Sequence, residues 1–403
     1  MKWHALGFSL LIAVSSLRAD DFGDPMRGQV VFVEKGCVHC HAVRGTGGRI
    51  GPDLGRTAVK SSFYDVAAAM WNHSPDMAEK MREWHLARPT FEEGELKDLL
   101  AFVYFLNYFD EPGDPVAGRS LFAEKHCIQC HAIGREGGTT GPRLDMLARG
   151  TPPLQIAQSL WNHGPTMIAS IRARGLQVPE FGGNEILDLF AYLRRQGKRE
   201  AKRDFRSAGD PANGAALFAS KGCSRCHAVF GEGGGMAPDL GRGDLRGSVT
   251  LLAGRMWNHW PAMTEAMKTL DIPRPVFHGE ELADVFAFLF ISRYHGERPP
   301  AEAGRAVYAK KGCLSCHGSN GSAALRASLA GKSKEEIAQR MWNHAPAMGT
   351  EMGTRGMRWP RFEPQELAAL LRYLAESPQE AKGAAAAAPG ASRLARAAPS
   401  RSP

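Results

Sequence analysis

The sequence predicts an all-α chain made of four tandem copies of one small domain, and three observations carry that prediction. Cys-x-x-Cys-His occurs at residues 37–41, 127–131, 223–227 and 313–317, so successive copies start 90, 96 and 90 residues apart. The flanks repeat as well. Nine residues before each first cysteine stands Gly28, Gly118, Gly214 or Gly304; five before it Phe32, Phe122, Phe218 or Tyr308; two before it Lys35, Lys125, Lys221 or Lys311. Each copy then runs through Trp-Asn-His-x-Pro-x-Met, at 71–77, 161–167, 257–263 and 342–348, and closes on an apolar stretch of helical period.

In those closing stretches an acid (Glu95, Glu185, Glu281, Glu366) sits seven residues before an aromatic (Phe102, Tyr192, Phe288, Tyr373). Gly-Asp-Pro at Gly23, Gly113 and Gly209 is a turn signal opening the first three copies, and the fourth opens near Pro299 and Pro300. The expected domains are therefore 23–110, 113–198, 209–296 and 300–376. Between the second and third, residues 194–206 hold seven Lys or Arg, and 199–208 reads as a basic linker, with a docking strip for an acidic partner as the alternative. Residues 377–403 are Ala, Pro and Arg-rich with little to bury, which predicts a disordered tail.

Residues 1–19 read as a signal peptide: Lys2 precedes an apolar run from Ala5 to Val14, and a small residue, Ala19, ends it. Leu17, a poor residue three places before the cut, keeps a membrane anchor open as the alternative. No later run reaches the roughly 18 apolar residues a spanning helix needs, since the nearest, 96–109, contains Lys97 and Asp98. The first cysteine is Cys37, so no lipidation site follows the apolar run. The expectation is an exported, periplasmic chain with no transmembrane segment after cleavage.

Two thiols three positions apart, with His directly after the second, can add to the two vinyl groups of a haem while the imidazole coordinates its iron. Cys37, Cys40, Cys127, Cys130, Cys223, Cys226, Cys313 and Cys316 are thus the expected attachment points of four covalent haems c. His41, His131, His227 and His317 are the proximal ligands. A thioredoxin-like redox pair would want a βαβ setting, and a zinc site would need two such pairs brought together; four copies that consume every cysteine disfavour both.

The whole pattern resembles the class I cytochrome c family, with its first helix, Cys-x-x-Cys-His, Gly-Pro-x-Leu loop, distal Met and closing helix. Residues 51–54 and 141–144 match that loop, and 237–240 match with Ala in place of Gly. The resemblance spans about residues 23–376 and implies four tandem class I domains, each an all-α fold wrapped round one haem, with the loop proline backing the proximal imidazole. The sixth ligand has two candidates. Met70, Met256 and Met341 align with Leu160, and Met81, Met267 and Met352 with Ile171, which leaves the Met and the His of Trp-Asn-His-x-Pro-x-Met. The family places its ligand Met five residues after Asn, which favours Met77, Met167, Met263 and Met348. His73, His163, His259 and His344 are the alternative. Proline at Pro75, Pro165, Pro261 and Pro346 suits a helix's first position, with the Met one turn inside. Trp71, Trp161, Trp257 and Trp342 read either as haem-packing residues that could bond a propionate, or as ordinary core.

The fourth copy departs from the others. His317 to Met348 spans 31 residues where the first three copies span 36, and the missing residues include the Gly-Pro-x-Leu loop. A more exposed fourth haem follows, and Met357 becomes a further ligand candidate there. Net charge is +8; losing Lys2 and Arg18 leaves +6, and ionised haem propionates would bring it near neutral, so nucleic-acid binding has no support. The expected function is electron transfer between periplasmic or membrane-bound redox proteins, by a carrier with no catalytic residues. An enzyme with one open haem iron, or a fixed wire within a larger, membrane-associated oxidoreductase, are the rivals.

Overall fold

The computed structural model describes residues 22–56, 62–106, 108, 112–197, 199–200, 209–242, 248–297 and 299–376. The expected signal peptide, positions 201–208 of the linker and the tail from 377 lie outside them. The first copy carries α1 (Pro25–Glu34), α2 (Phe63–Asn72), α3 (Ser74–Glu83) and α4 (Glu95–Phe105). The second has α5 (Pro115–Glu124), α6 (Pro153–Ala173) and α7 (Glu185–Gln196), and the third α8 (Pro211–Ser220), α9 (Val249–Thr269) and α10 (Glu281–His295). The fourth has α11 (Ala301–Lys310), α12 (Ser319–Leu329), α13 (Lys334–Thr354) and α14 (Pro364–Ala375). Strand is confined to two-residue ribbons, such as Ala42–Val43 paired antiparallel with Thr46–Gly47. The architecture is the all-α one the periodicity predicts.

Each first helix starts from its own sequence signal. Asp24, Asp114 and Asp210 cap α1, α5 and α8, accepting from the N–H of Met26, Val116 and Ala212 at 2.7–2.8 Å, with proline at the first turn. The backbone N–H of the same three residues donates to Asp98, Asp188 and Asp284 of the closing helices at 2.7–2.8 Å. The first and closing helices cross so closely that a Cβ on Gly28, Gly118, Gly214 or Gly304 would collide with the backbone of Asp98, Asp188, Asp284 or Ala369. That crossing explains the repeated glycine. Beside it the repeated aromatics meet, Phe32 with Phe102, Phe122 with Tyr192, Phe218 with Phe288 and Tyr308 with Tyr373, at ring separations of 5.5–5.8 Å.

Two compact units result, and they do not follow the four copies one by one. One contains positions up to 66 and 97–297; the other contains 67–96 and everything from 298. In the first unit the second and third copies share a core that includes Phe122, Trp161, Ile186, Phe190, Trp257, Trp260 and Phe286. In the second unit, residues 67–96 of the first copy pack with the fourth copy.

The proline in Trp-Asn-His-x-Pro-x-Met opens a helix only in the first copy, where α3 begins at Ser74. In the others the helix runs straight through Pro165, Pro261 and Pro346. Proline removes one N–H and strands the carbonyl four residues earlier. For Pro165 that carbonyl belongs to Trp161 and is taken by the Arg274 guanidinium at 3.1 Å, which lets the helix continue.

Candidate haem-binding sites

Each Cys-x-x-Cys-His motif forms one tight 3-10 turn, beginning at Cys37, Cys127, Cys223 or Cys313, with the histidine N–H bonded back to the first cysteine's carbonyl at 2.9–3.0 Å. The residue before the first cysteine has a left-handed backbone: Gly36, Gly222 and Gly312 at φ 76–83°, and His126 at φ 63°. The turn brings both thiols and the imidazole of each copy onto one short loop. All eight cysteines are free thiols. Burial pushes the Cys37, Cys127 and Cys223 thiols up to about 11.

The imidazole is oriented from behind. Nδ1 of His41, His131 and His227 bonds the carbonyl oxygen of Pro52, Pro142 and Pro238 at 3.0, 2.8 and 2.9 Å. A carbonyl only accepts, so Nδ1 carries the proton and Nε2 keeps its lone pair for a metal. The loop lies so near the ring that a Cβ on Gly141 would stand 2.6 Å from His131 Cε1, and one on Gly51 would crowd His41 in the same way. The third copy has Ala237 there and keeps the carbonyl bond. The proline thus backs the imidazole through its carbonyl oxygen. Asp53 and Asp239 hold the loop by accepting three backbone N–H bonds each, at 2.7–3.0 Å; burial opposes ionisation, but these bonds hold both carboxyls below the usual range. In the second copy Arg143 stands at that position, and buried Asp145 takes over, pairing with Arg143 at 2.8 Å and accepting from Gly134 N–H.

Opposite the proximal ring in the third copy lies His259, its ring centre 6.4 Å from that of His227. In the fourth copy His344 lies 6.2 Å from His317. Two metal–nitrogen bonds of about 2.0–2.1 Å, plus about 1.1 Å from nitrogen to ring centre at each end, add up to about 6.3 Å. Two imidazoles that share one metal ion have ring centres separated by about that distance. Met263 follows His259 by four residues on the same helix face. It is half-buried and packs with Met167 against the apolar core. Met357 sits by Gly312, its Cε 3.5 Å from where a glycine Cβ would stand, just as Ile272 sits by Gly222. The first copy's His41 and its Trp-Asn-His-x-Pro-x-Met stretch fall in different units.

The fourth copy has lost the ribbon and the Gly-Pro-x-Leu loop, and α12 follows its attachment turn instead. Tyr308 Oη donates to the His317 carbonyl at 3.1 Å, and Cys316 is exposed where Cys40, Cys130 and Cys226 are half-buried.

The repeated tryptophans and asparagines do something the sequence reading did not assign. Indole Nε1 of Trp161 donates to Pro275 of the third copy at 2.9 Å, and Trp257 to Pro179 of the second at 2.7 Å. In the other unit Trp71 donates to Pro360 at 2.8 Å and Trp342 to Pro89 at 2.9 Å. Asn162, Asn258, Asn72 and Asn343 each make a two-way amide bond with the backbone of Phe277, Phe181, Phe362 and Phe91. These tryptophans join copies in reciprocal pairs, and their indole N–H is thereby committed to a carbonyl. The missed signal was the Pro eighteen residues after each Trp, at 89, 179, 275 and 360.

No helix among the described residues is long and apolar enough to cross a membrane. A cytochrome c family model matches residues 25–106, 211–289 and 301–378. No curated protein and no solved structure matches the chain. The second copy lies outside the matched stretches, yet builds the same turn, loop and crossing helices. With two thiols and an imidazole on one turn in each copy, and the family match over more than half the chain, the protein belongs to the cytochrome c family, as a multi-domain member that binds haem covalently and transfers electrons.

Proposed function

We propose that the chain is an exported tetrahaem cytochrome, with one haem c in each copy, that passes electrons between redox proteins of the periplasm or its membrane. The observation that carries this reading is the fourfold recurrence of the attachment turn, each with two thiols and one imidazole on the same loop. Cys37 and Cys40, Cys127 and Cys130, Cys223 and Cys226, and Cys313 and Cys316 hold the groups; His41, His131, His227 and His317 are the proximal ligands. Bound haem iron supplies the one-electron couple that the side chains of this protein lack.

For the distal side the paired-imidazole spacing supports His259 and His344, and by repetition His163, over the methionines that the family spacing favours. Met77, Met167, Met263 and Met348 then fill apolar space one turn further along. Two imidazoles give lower potentials than a His–Met pair, so the chain serves a lower-potential segment of electron transport than methionine ligation would suit. A second imidazole facing His317 also supports six-coordinate carriers over an enzyme with an open iron in the fourth copy.

His259→Ala and Met263→Ala in the purified holoprotein separate the two ligand sets. His259→Ala should convert one haem to high spin, and Met263→Ala should leave every haem low-spin. If Met263→Ala gives the high-spin haem and His259→Ala does not, ligation is His–Met and the distal assignment is wrong.

A further inference from the structure

We infer that the ligand-bearing helix of one copy is set by side chains of its partner copy, so that the state of one haem depends on residues lying in another domain. The inference rests on the haem-binding reading above. The residue directly before each distal histidine is the asparagine whose amide is tied, as donor and acceptor, to the partner copy's Phe backbone. One residue earlier, the tryptophan N–H is tied to the partner's proline carbonyl. Both bonds grip the helix on the turn that carries the histidine, so rotation or slippage of that turn would break them.

In three of the four copies the residue just before that proline strengthens the grip, each with different chemistry; the second copy has Val178 there. Arg274 of the third copy donates to the carbonyls of Trp161 and Asn162 at 3.1 and 3.3 Å, and its guanidinium lies 6.0 and 5.3 Å from the Trp161 and Trp260 ring centres. Trp359 of the fourth copy stacks on Trp71 at 4.6 Å and donates to the Trp71 carbonyl, one of the last of α2, at 3.2 Å. Arg88 of the first copy lies 3.9 Å over the Trp342 ring and donates to Ser74 Oγ at 2.9 Å. For Pro165 the partner copy supplies the donor that proline took away from the ligand helix. Arg274 and Trp359 are thus positioning residues for ligands they do not touch, and Arg88 acts on the tryptophan next to Asn343.

The dependence is crossed, which makes it testable against a merely local structural role. Single variants His163→Ala, His259→Ala and His344→Ala identify the spectral and redox signatures of the second, third and fourth haems. Arg274→Leu should then shift the potential, or raise the high-spin fraction, of the second haem by more than that of the third, whose Trp260 ring it also faces. Arg274→Lys, which keeps the charge but loses the fork, should restore the signature only in part. Arg88→Leu should act in the same way on the fourth haem, giving an independent arm if Arg274→Leu does not accumulate. A change confined to the third haem, an equal shift of all haems, or no shift in either variant would overturn the inference. If His163→Ala leaves its haem low-spin, the distal histidine reading fails by itself; Met167→Ala then marks the second haem, and the crossed test is read unchanged.

Discussion

His126 shows how tightly one backbone angle is specified. Three copies place glycine before the first cysteine, in the left-handed region, and the second copy holds His126 there at φ 63°. A side chain in that region costs about 1–2 kcal/mol, part of which glycine returns through its freer unfolded state. His126→Gly should therefore stabilise the holoprotein by about 0.5–1 kcal/mol in denaturant titration; unchanged or lower stability would contradict the strain argument. At this scale the tight turn at each Cys-x-x-Cys-His was legible, because the motif repeats with the same spacing and flanks in all four copies. The tryptophans were not, because a residue repeated at constant spacing has the same signature whether it faces a haem or a sister copy. The distal ligand was legible only as a choice, because His and Met four residues apart share a helix face.

At the scale of elements, the repeated lysine and glutamate form a tie between the attachment turn and the closing helix. Lys125 Nζ lies 2.9 Å from Glu185 and donates to the Glu180 carbonyl at 2.8 Å; Lys221 and Lys311 pair in the same way with Glu281 and Glu366. The Gly182 N–H, and then the Lys125 ammonium, hold the Glu185 carboxyl below its ordinary pKa. A carboxyl depressed in the folded state stabilises fully above its unfolded pKa, about 4.3, and loses that contribution as pH falls through the folded value. Glu185→Gln should be less stable than the parent above about pH 5, with the gap closing below about pH 4. A gap of the same size at pH 3 would rule out an ionic origin. The first helices were readable from the Gly-Asp-Pro turn signal, and the closing helices from their period. The uninterrupted helix through Pro165, Pro261 and Pro346 was not, because the group that replaces the lost N–H of Pro165 lies about a hundred residues away, on Arg274.

For the whole molecule, the count of four copies was plain in the cysteine spacing, while the association of copies was hidden. The second copy joins the third, and residues 67–96 of the first join the fourth, through the same Trp, Asn and Pro exchange. A sequence repeat shows that units are alike and is silent on which unit faces which. The recurrence of the attachment turn in every copy supports the proposed tetrahaem carrier. Spectroelectrochemical titration of the purified protein, with haem counted per polypeptide by the haemochrome assay, tests that claim most directly. Four covalently held haems, low-spin and accepting four electrons per chain, are the result expected; fewer than four, haem released by acid acetone, or a resting protein dominated by high-spin iron would contradict it.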